Sequence, residues 1–204
     1  MKVAVLGAGG KGGSEITKEL VSRGHEVVAI SRTVDKIPSG AGVTAVQGDA
    51  SDADALAEQI KGVDAVISAL HFDIPSATLL SAVKKAGVDR LLVMGGAASL
   101  KNAEGVRIYD SEGFPEFLKP IVKGGIDFLA ELKNEIGTNW TFFSPAMTIF
   151  EGERKGPGSF RLGKDDLVTD DAGESKISYA DYAIAMVDEL EQGNNPRSRF
   201  TVGY

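Results

Sequence analysis

Near its start the chain turns from a short apolar run, Lys2-Val3-Ala4-Val5-Leu6, into the segment Gly7-Ala8-Gly9-Gly10-Lys11-Gly12-Gly13, and then into an amphipathic stretch. Two spacings overlap in that turn. Gly7, Gly9 and Gly12 fit G-x-G-x-x-G, and Gly7, Gly10 and Gly13 fit G-x-x-G-x-x-G. Both serve the same physics. One glycine lets the strand turn sharply, one lets an anion approach the backbone, and one lets helix pack on strand. The free N–H groups at the helix start then face the anion, helped by the helix dipole. A strand before the motif and a helix after it are the context that makes it a dinucleotide-binding turn. The plain alternative is a glycine turn kept for close packing alone. A Walker A loop is excluded, because Gly10-Lys11 lacks both the glycine five residues earlier and a following Ser or Thr.

The rhythm that follows agrees. Strands are expected at Lys2–Leu6, Glu26–Ser31, Thr44–Gln47, Ala65–Ala69 and Arg90–Gly95, with helices at Lys11–Arg23, Ala53–Ile60 and Ser76–Ala86. The strands are nearly all apolar, as when helices cover both faces of a sheet. Alternation at this spacing predicts an α/β fold with a doubly wound parallel sheet. Then the rhythm breaks. Gly96 to Phe114 reads as a long loop, of a length usually kept for function. A helix from about Pro115 to Ile136 is expected to be interrupted near Gly124-Gly125. Trp140–Ser144 and Arg199–Val202 read as strands and Tyr179–Leu190 as a helix, capped by Ser178 with Asp181 three residues on. Residues 145–178 read as short strands and turns, a small C-terminal lobe on a single domain spanning 1–204.

The ends of the strands set the chemistry. Sites that prefer NAD close the second strand with Asp or Glu, which binds the ribose 2′-OH. Here it closes with Ser31-Arg32-Thr33. Arginine offers charge-assisted bonds to a 2′-phosphate, and the flanking hydroxyls add donors. NADP(H) is therefore expected over NAD. The alternative is a solvated loop cation. Asp49, after the third strand, would accept the adenine amino hydrogens or cap the next helix, with Ala50 beside it. Ala69, Leu70 and His71 close the fourth strand and Gly95 and Gly96 the fifth. Small residues there let ribose and phosphates lie against the backbone.

Composition removes other classes. The net charge of −7 argues against a nucleic-acid binder. With no cysteine, disulfides, zinc clusters and thiol chemistry are out. No apolar stretch reaches the ~20 residues of a membrane helix, and the opening run is too short for a signal peptide. A cytoplasmic protein, monomer or homodimer, is expected. The pairs Asp165-Asp166 and Asp170-Asp171 lack calcium-loop spacing and read as a solvated hairpin. Two histidines make a transition-metal site improbable. Trp140, Phe142, Phe143 and Phe150 read as core.

With these residues in place, the chain resembles the atypical short-chain dehydrogenase/reductase group. Within it, the chain resembles the NAD(P)H-binding NmrA-like proteins, including the biliverdin reductase B/flavin reductase type. The resemblance rests on the glycine turn, Ser31-Arg32, Gly48-Asp49, Met94-Gly95-Gly96-Ala97-Ala98-Ser99, Asn139 to Ala146 and Ile177 to Ala183. It implies a Rossmann fold, a nicotinamide cofactor and a small-molecule acceptor. Two departures matter: the serine the resemblance implies just after the fifth strand is replaced by Gly95-Gly96-Ala97, with Ser99 a few residues late, and the Tyr-Lys pair is absent. No tyrosine stands four residues before a lysine: Tyr109, Tyr179 and Tyr182 are followed at that distance by Gly113, Ala183 and Met186, and Tyr204 ends the sequence. Alcohol oxidation or epimerisation by the usual Tyr-Lys pair is therefore not expected.

Ligands in such sheets bind beyond the carboxyl ends of the strands. Candidate pocket residues are Phe72, Ala97, Ser99, Phe114, Pro145, Ala146 and Met147. His71, Ser99 and Tyr109 are the weak candidates for a catalytic part: His71 as proton donor, Ser99 as partner to a carbonyl. Quinones and flavins need mainly hydride placement, with protons from water. The leading expectation is an NADPH-dependent reductase of a small planar acceptor: a quinone, a flavin or a conjugated carbonyl. The rival is a non-catalytic NADP(H) sensor with a regulatory partner. An isomerase with tightly held cofactor is a third.

Overall fold

The computed structural model describes all 204 residues. The chain runs β1 (Lys2–Leu6), α1 (Lys11–Ser22), β2 (Glu26–Ser31), β3 (Val43–Gln47), α2 (Ala53–Gln59), β4 (Ala65–Ser68), α3 (Ser76–Lys85) and β5 (Arg90–Met94). It continues through α4 (Lys119–Leu132), β6 (Asn139–Ser144), β7 (Thr148–Phe150), β8 (Arg161–Gly163), β9 (Lys176–Ser178), α5 (Tyr179–Gln192) and β10 (Ser198–Gly203). The main sheet has the order β3-β2-β1-β4-β5-β6-β10-β8, and β7 pairs with β9 in a small parallel sheet. All main-sheet pairs are parallel except β10 with β8, the antiparallel edge. The order reverses between β1 and β4. That switch point is where a doubly wound sheet opens a crevice at its carboxyl end.

Parallel strands buried on both faces explain the apolar runs. One face packs α1 and α5 on the sheet through Ile16, Leu20, Tyr182 and Met186. There Phe143 stacks between Tyr182 and Phe200, with ring centroids 4.2 Å and 4.0 Å away. The other face carries α2, α3 and α4 through Leu56, Leu79, Phe128 and Trp140. The α5 cap is as expected: Ser178 Oγ accepts from Asp181 N at 3.1 Å, and Gly193 ends the helix at φ 63°.

Two expectations are corrected. Helix α4 runs unbroken through Gly124-Gly125. A Cβ at either glycine would stand 3.0 Å from Phe72, so the pair makes room for that ring. The cost of two helical glycines, about 1 kcal/mol each, is offset by packing Phe72 on Phe128 and Phe142 at 5.3 Å and 6.0 Å. The 96–114 segment is the long loop expected, pinned by a 3₁₀ turn at Ile108–Asp110 and by isolated bridges from Lys101 to Arg107 and Asp166. Asp165 is not simply solvated, because it forms an ion pair with Arg199.

The 151–156 segment is tied down by buried charge. Arg154 pairs with Glu19, whose side chain is 1% exposed. Asp181, fully buried, accepts from Gly156 N at 2.9 Å, Lys155 N at 3.2 Å and Tyr204 Oη at 2.6 Å. A buried carboxylate is tolerable only when donors surround it in this way.

Candidate functional site

A cleft of 410 Å³ opens at the switch point. Its floor is Leu6, Gly7, Gly9 and Gly10 from the glycine turn, with Ala69, Leu70 and His71 after β4. One wall is Ser31, Arg32, Thr33 and Lys36 after β2, and another is Gly48, Asp49 and Ala50 after β3.

The structure sorts the glycines by job. Gly7 has φ +76°, and a Cβ there would stand 2.7 Å from Ala69 O; only glycine fits both demands. A Cβ on Gly13 would overlap the Gly7 carbonyl, so Gly13 seats helix on strand. A Cβ on Gly12 would come within 2.5 Å of Met94 Sδ. Gly10 is different. Its only neighbour would be Gly7 O at 3.3 Å, and it faces the cleft. In the spacing Gly7, Gly10, Gly13 the first glycine thus makes the turn and the third seats the helix, while Gly10 lies open to the cleft.

The turn leaves donors free. Gly7 N and Ala8 N donate to Ile30 O, and Gly10 N donates to Gly7 O at 2.9 Å. Gly9, Lys11 and Gly12 N–H have no protein acceptor, and no side chain caps the helix. Uncapped N–H groups with a helix dipole behind them suit an anion. These residues fit a dinucleotide pyrophosphate. Lys11 projects outward instead, where its ammonium meets Glu151 at 2.7 Å. That pairing raises the Lys11 pKa.

Around the adenine end the charges are mixed. Arg32 and Lys36 are exposed cations on the cleft wall. Lys36 escaped the sequence reading because it lies in a short 3₁₀ turn at Val34–Lys36. Asp73 and Ile74 also line the cleft; no motif marks them. The cap of α2 is Asp52, which accepts from Asp54 N and Ala55 N. Asp49 instead accepts from Ser51 N at 2.9 Å. The Ser51 hydrogen bonds, with the Arg32 charge adding, hold the Asp49 carboxyl below its usual range. It is an ionised acceptor facing the cleft.

Beside the cleft lies an open 150 Å³ pocket lined by Phe72, Gly96, Ala97, Ser99 and, from α4, Ile121, Val122, Gly125 and Ile126. Gly96 has open space around it, whereas a Cβ on Gly95 would collide with the Phe142 ring. The remaining candidates sit elsewhere. Ala146 is 1% exposed in the core, and Pro145 before it is buried. Met147 points out at 46% exposure, into a separate groove with Phe150 and Lys176. Tyr109 packs on Phe114 at 5.9 Å, under the cations of Arg107 and Lys119, outside both pockets. His71 is exposed on the cleft floor.

No group of three or more His, Asp or Glu side chains is placed to hold a metal. No helix is long and apolar enough to cross a membrane.

Sheet order, switch-point cleft and glycine turn define a dinucleotide-binding Rossmann protein. A family model described as NAD(P)H-binding matches residues 7–192, and the chain belongs to that family. It is 40% identical over 213 residues to the uncharacterized protein YwnB of Bacillus subtilis (strain 168), covering 99% of this chain and 98% of the relative. Among solved structures, a candidate epimerase from Bacteroides thetaiotaomicron matches at TM-score 0.92 and 42% identity, over 100% of this chain and 96% of that one. A candidate NADH-flavin reductase from Streptococcus pneumoniae TIGR4 matches at TM-score 0.88 and 36% identity, over 100% of this chain and 99% of that one. The chain has an NAD(P)H-binding, oxidoreductase-like fold with reductases among its neighbours.

Proposed function

We propose that the protein is an NADPH-dependent reductase of a small planar acceptor: a quinone, a flavin or a conjugated carbonyl. The observation that carries this is the cleft wall. Arg32, Lys36, Ser31 and Thr33 line one side of the cleft, and their charges and hydroxyls would bind a 2′-phosphate. Gly7, Gly9 and Gly10, with the N–H groups of Lys11 to Gly13, would hold the pyrophosphate. Asp49 and Ala50 would meet the adenine, and Ala69, Leu70 and His71 the inner ribose. Gly96 and Ala97 would flank the nicotinamide, which supplies hydride when bound.

The reductase reading is supported by the candidate flavin reductase among the neighbours. It is supported also by a side pocket without a strong acid, which suits acceptors that take their proton from water. Epimerisation, the name attached to another neighbour, would call for proton transfer groups that this pocket does not hold. The cleft is complete within one chain, so a monomer or homodimer would serve. Residues 145–178 would act as the acceptor-side lobe, reaching the glycine turn through Glu151. A cytoplasmic setting, where NADPH is kept reduced, fits the reading.

Steady-state NADPH oxidation with simple quinones and with FMN tests it. Saturable turnover with at least one acceptor is expected. NADPH binding without turnover of any would replace the enzyme by a redox sensor with a regulatory partner.

A further inference from the structure

The 150 Å³ pocket has one polar side chain, Ser99, and no charged one. The rest is apolar: Phe72, Ala97, Ile121 and Ile126 with two glycines. An open pocket of about this volume has room for a single six-membered ring. Its lining offers no charged side chain to a phosphate or carboxylate.

The Ser99 hydroxyl is set from behind. Arg199 Nη1 donates to Ser99 Oγ at 3.2 Å. Arg199 stands on β10, its side chain 6% exposed, and its guanidinium is held by the Asp165 carboxylate. Arg199 Nε donates to that carboxylate at 2.9 Å. With a lone pair of Ser99 taken by a cation, the hydroxyl hydrogen remains for another acceptor. No protein group accepts it, and Ser99 lines the pocket. A hydroxyl that receives from a cation is also a stronger donor, because successive hydrogen bonds polarise one another.

We propose that this pocket takes one ring of an uncharged conjugated carbonyl compound, its carbonyl oxygen on the Ser99 hydroxyl, and that Arg199 is a positioning residue aiming that hydroxyl. The proposal rests on the reductase reading and narrows its acceptor. A monocyclic quinone or enone fits; the three fused rings and phosphate of FMN do not. Phe72 follows the cleft residue His71 directly, so the bound ring sits beside the cleft.

The test uses the whole protein and cyclohex-2-en-1-one labelled with ¹³C at the carbonyl. Its carbonyl resonance should move downfield saturably on binding, and FMN should not displace it. Ser99→Ala should abolish the downfield movement and weaken binding about 2- to 10-fold, the net worth of one hydrogen bond. Arg199→Met should lose most of the movement while the ring still binds, and Arg199→Lys should restore part of it. Should Arg199→Met fail to fold, Asp165→Asn frees the guanidinium from an exposed partner and should reduce the movement. An unchanged carbonyl shift in Ser99→Ala would overturn the proposal. So would an Arg199→Met protein that melts lower but keeps the full shift.

NADPH binding is measured on the same samples by thermal shift. If NADPH binds but the enone gives no signal, the pocket assignment fails and the reductase reading stands. If the enone signal is intact but NADPH does not bind, the pocket stands and the reductase reading fails.

Discussion

Replacing Gly10 and Gly13 by alanine, one at a time, should separate cofactor approach from helix seating. A Cβ on Gly13 would overlap Gly7 O and lie 2.8 Å from Gly7 C and 3.0 Å from Ala8 Cα. These are backbone atoms at the end of β1, so α1 must move as a body, taking Ile16 and Leu20 with it. Overpacking of this kind costs about 1–3 kcal/mol, and the better helix propensity of alanine returns up to ~1 kcal/mol. The net loss is about 1–2 kcal/mol, which for this chain length lowers Tm by roughly 2–8 °C. Gly10 sits at φ −84°, ψ 169°, a conformation alanine adopts freely, and its nearest contact would be 3.3 Å. Its effect on stability should stay within about 1 kcal/mol. Its methyl, however, would occupy the line along which a pyrophosphate reaches the backbone. The assay is thermal unfolding with and without NADPH. At ~100 times Kd the wild type gains about 2.7 kcal/mol. Gly10→Ala should melt near the wild type and lose that gain, while Gly13→Ala should melt lower even without ligand. A Gly13→Ala protein as stable as the wild type, or a Gly10→Ala protein with the full NADPH gain, would refute the division of labour.

Arg32→Ala and Lys36→Ala should each weaken NADPH binding about tenfold, as loss of a charge-assisted contact does, and leave NADH binding within about twofold; equal losses for both cofactors in a titration would remove the 2′-phosphate site. Glu151→Gln frees Lys11 beside the pyrophosphate site and should tighten NADPH binding by about two- to fivefold at low salt, an advantage that fades as salt screens it; a titration at two ionic strengths checks this. Burial would raise the Glu19 pKa, but the hydrogen bonds and charges of Arg154 and Arg23 win and lower it. A lowered folded pKa contributes stability above the unfolded pKa and loses it as pH falls through the folded one. Tm should therefore drop below about pH 4.5, and Glu19→Gln should lower Tm at pH 7 and flatten that acid limb.

The scaffold was legible because its signals are local. An apolar run, a glycine turn and a helical period define β1 and α1 within a single stretch of sequence, and the same holds through β5. Glycine spacing alone left two patterns open; the carbonyl of Gly7, pressed against Gly13, decides between them. What escaped depends on distant partners. Gly124-Gly125 looks like a helix break until Phe72, some fifty residues earlier, fills the space. Lys36 looks like a surface lysine until the chain curls back beside Gly9, where a Cβ on that glycine would stand 3.1 Å from Lys36 Cβ. Ser99 gains its orientation from Arg199, 100 residues on. The pattern after β6 placed Pro145, Ala146 and Met147 together, but their side chains diverge: Pro145 and Ala146 pack inward and Met147 faces out. By sequence Asp49 could cap α2; the structure gives that cap to Asp52, which the sequence reading did not single out.

The most direct test of the cleft is a titration with NADPH and with NADH, following nicotinamide fluorescence, with 2′,5′-ADP as competitor. Saturable enhancement that is tighter for NADPH, and reversed by the competitor, is expected. Failure of both nucleotides to bind, or binding that 2′,5′-ADP leaves untouched, would contradict the assignment of Arg32, Lys36 and the glycine turn to NADP(H).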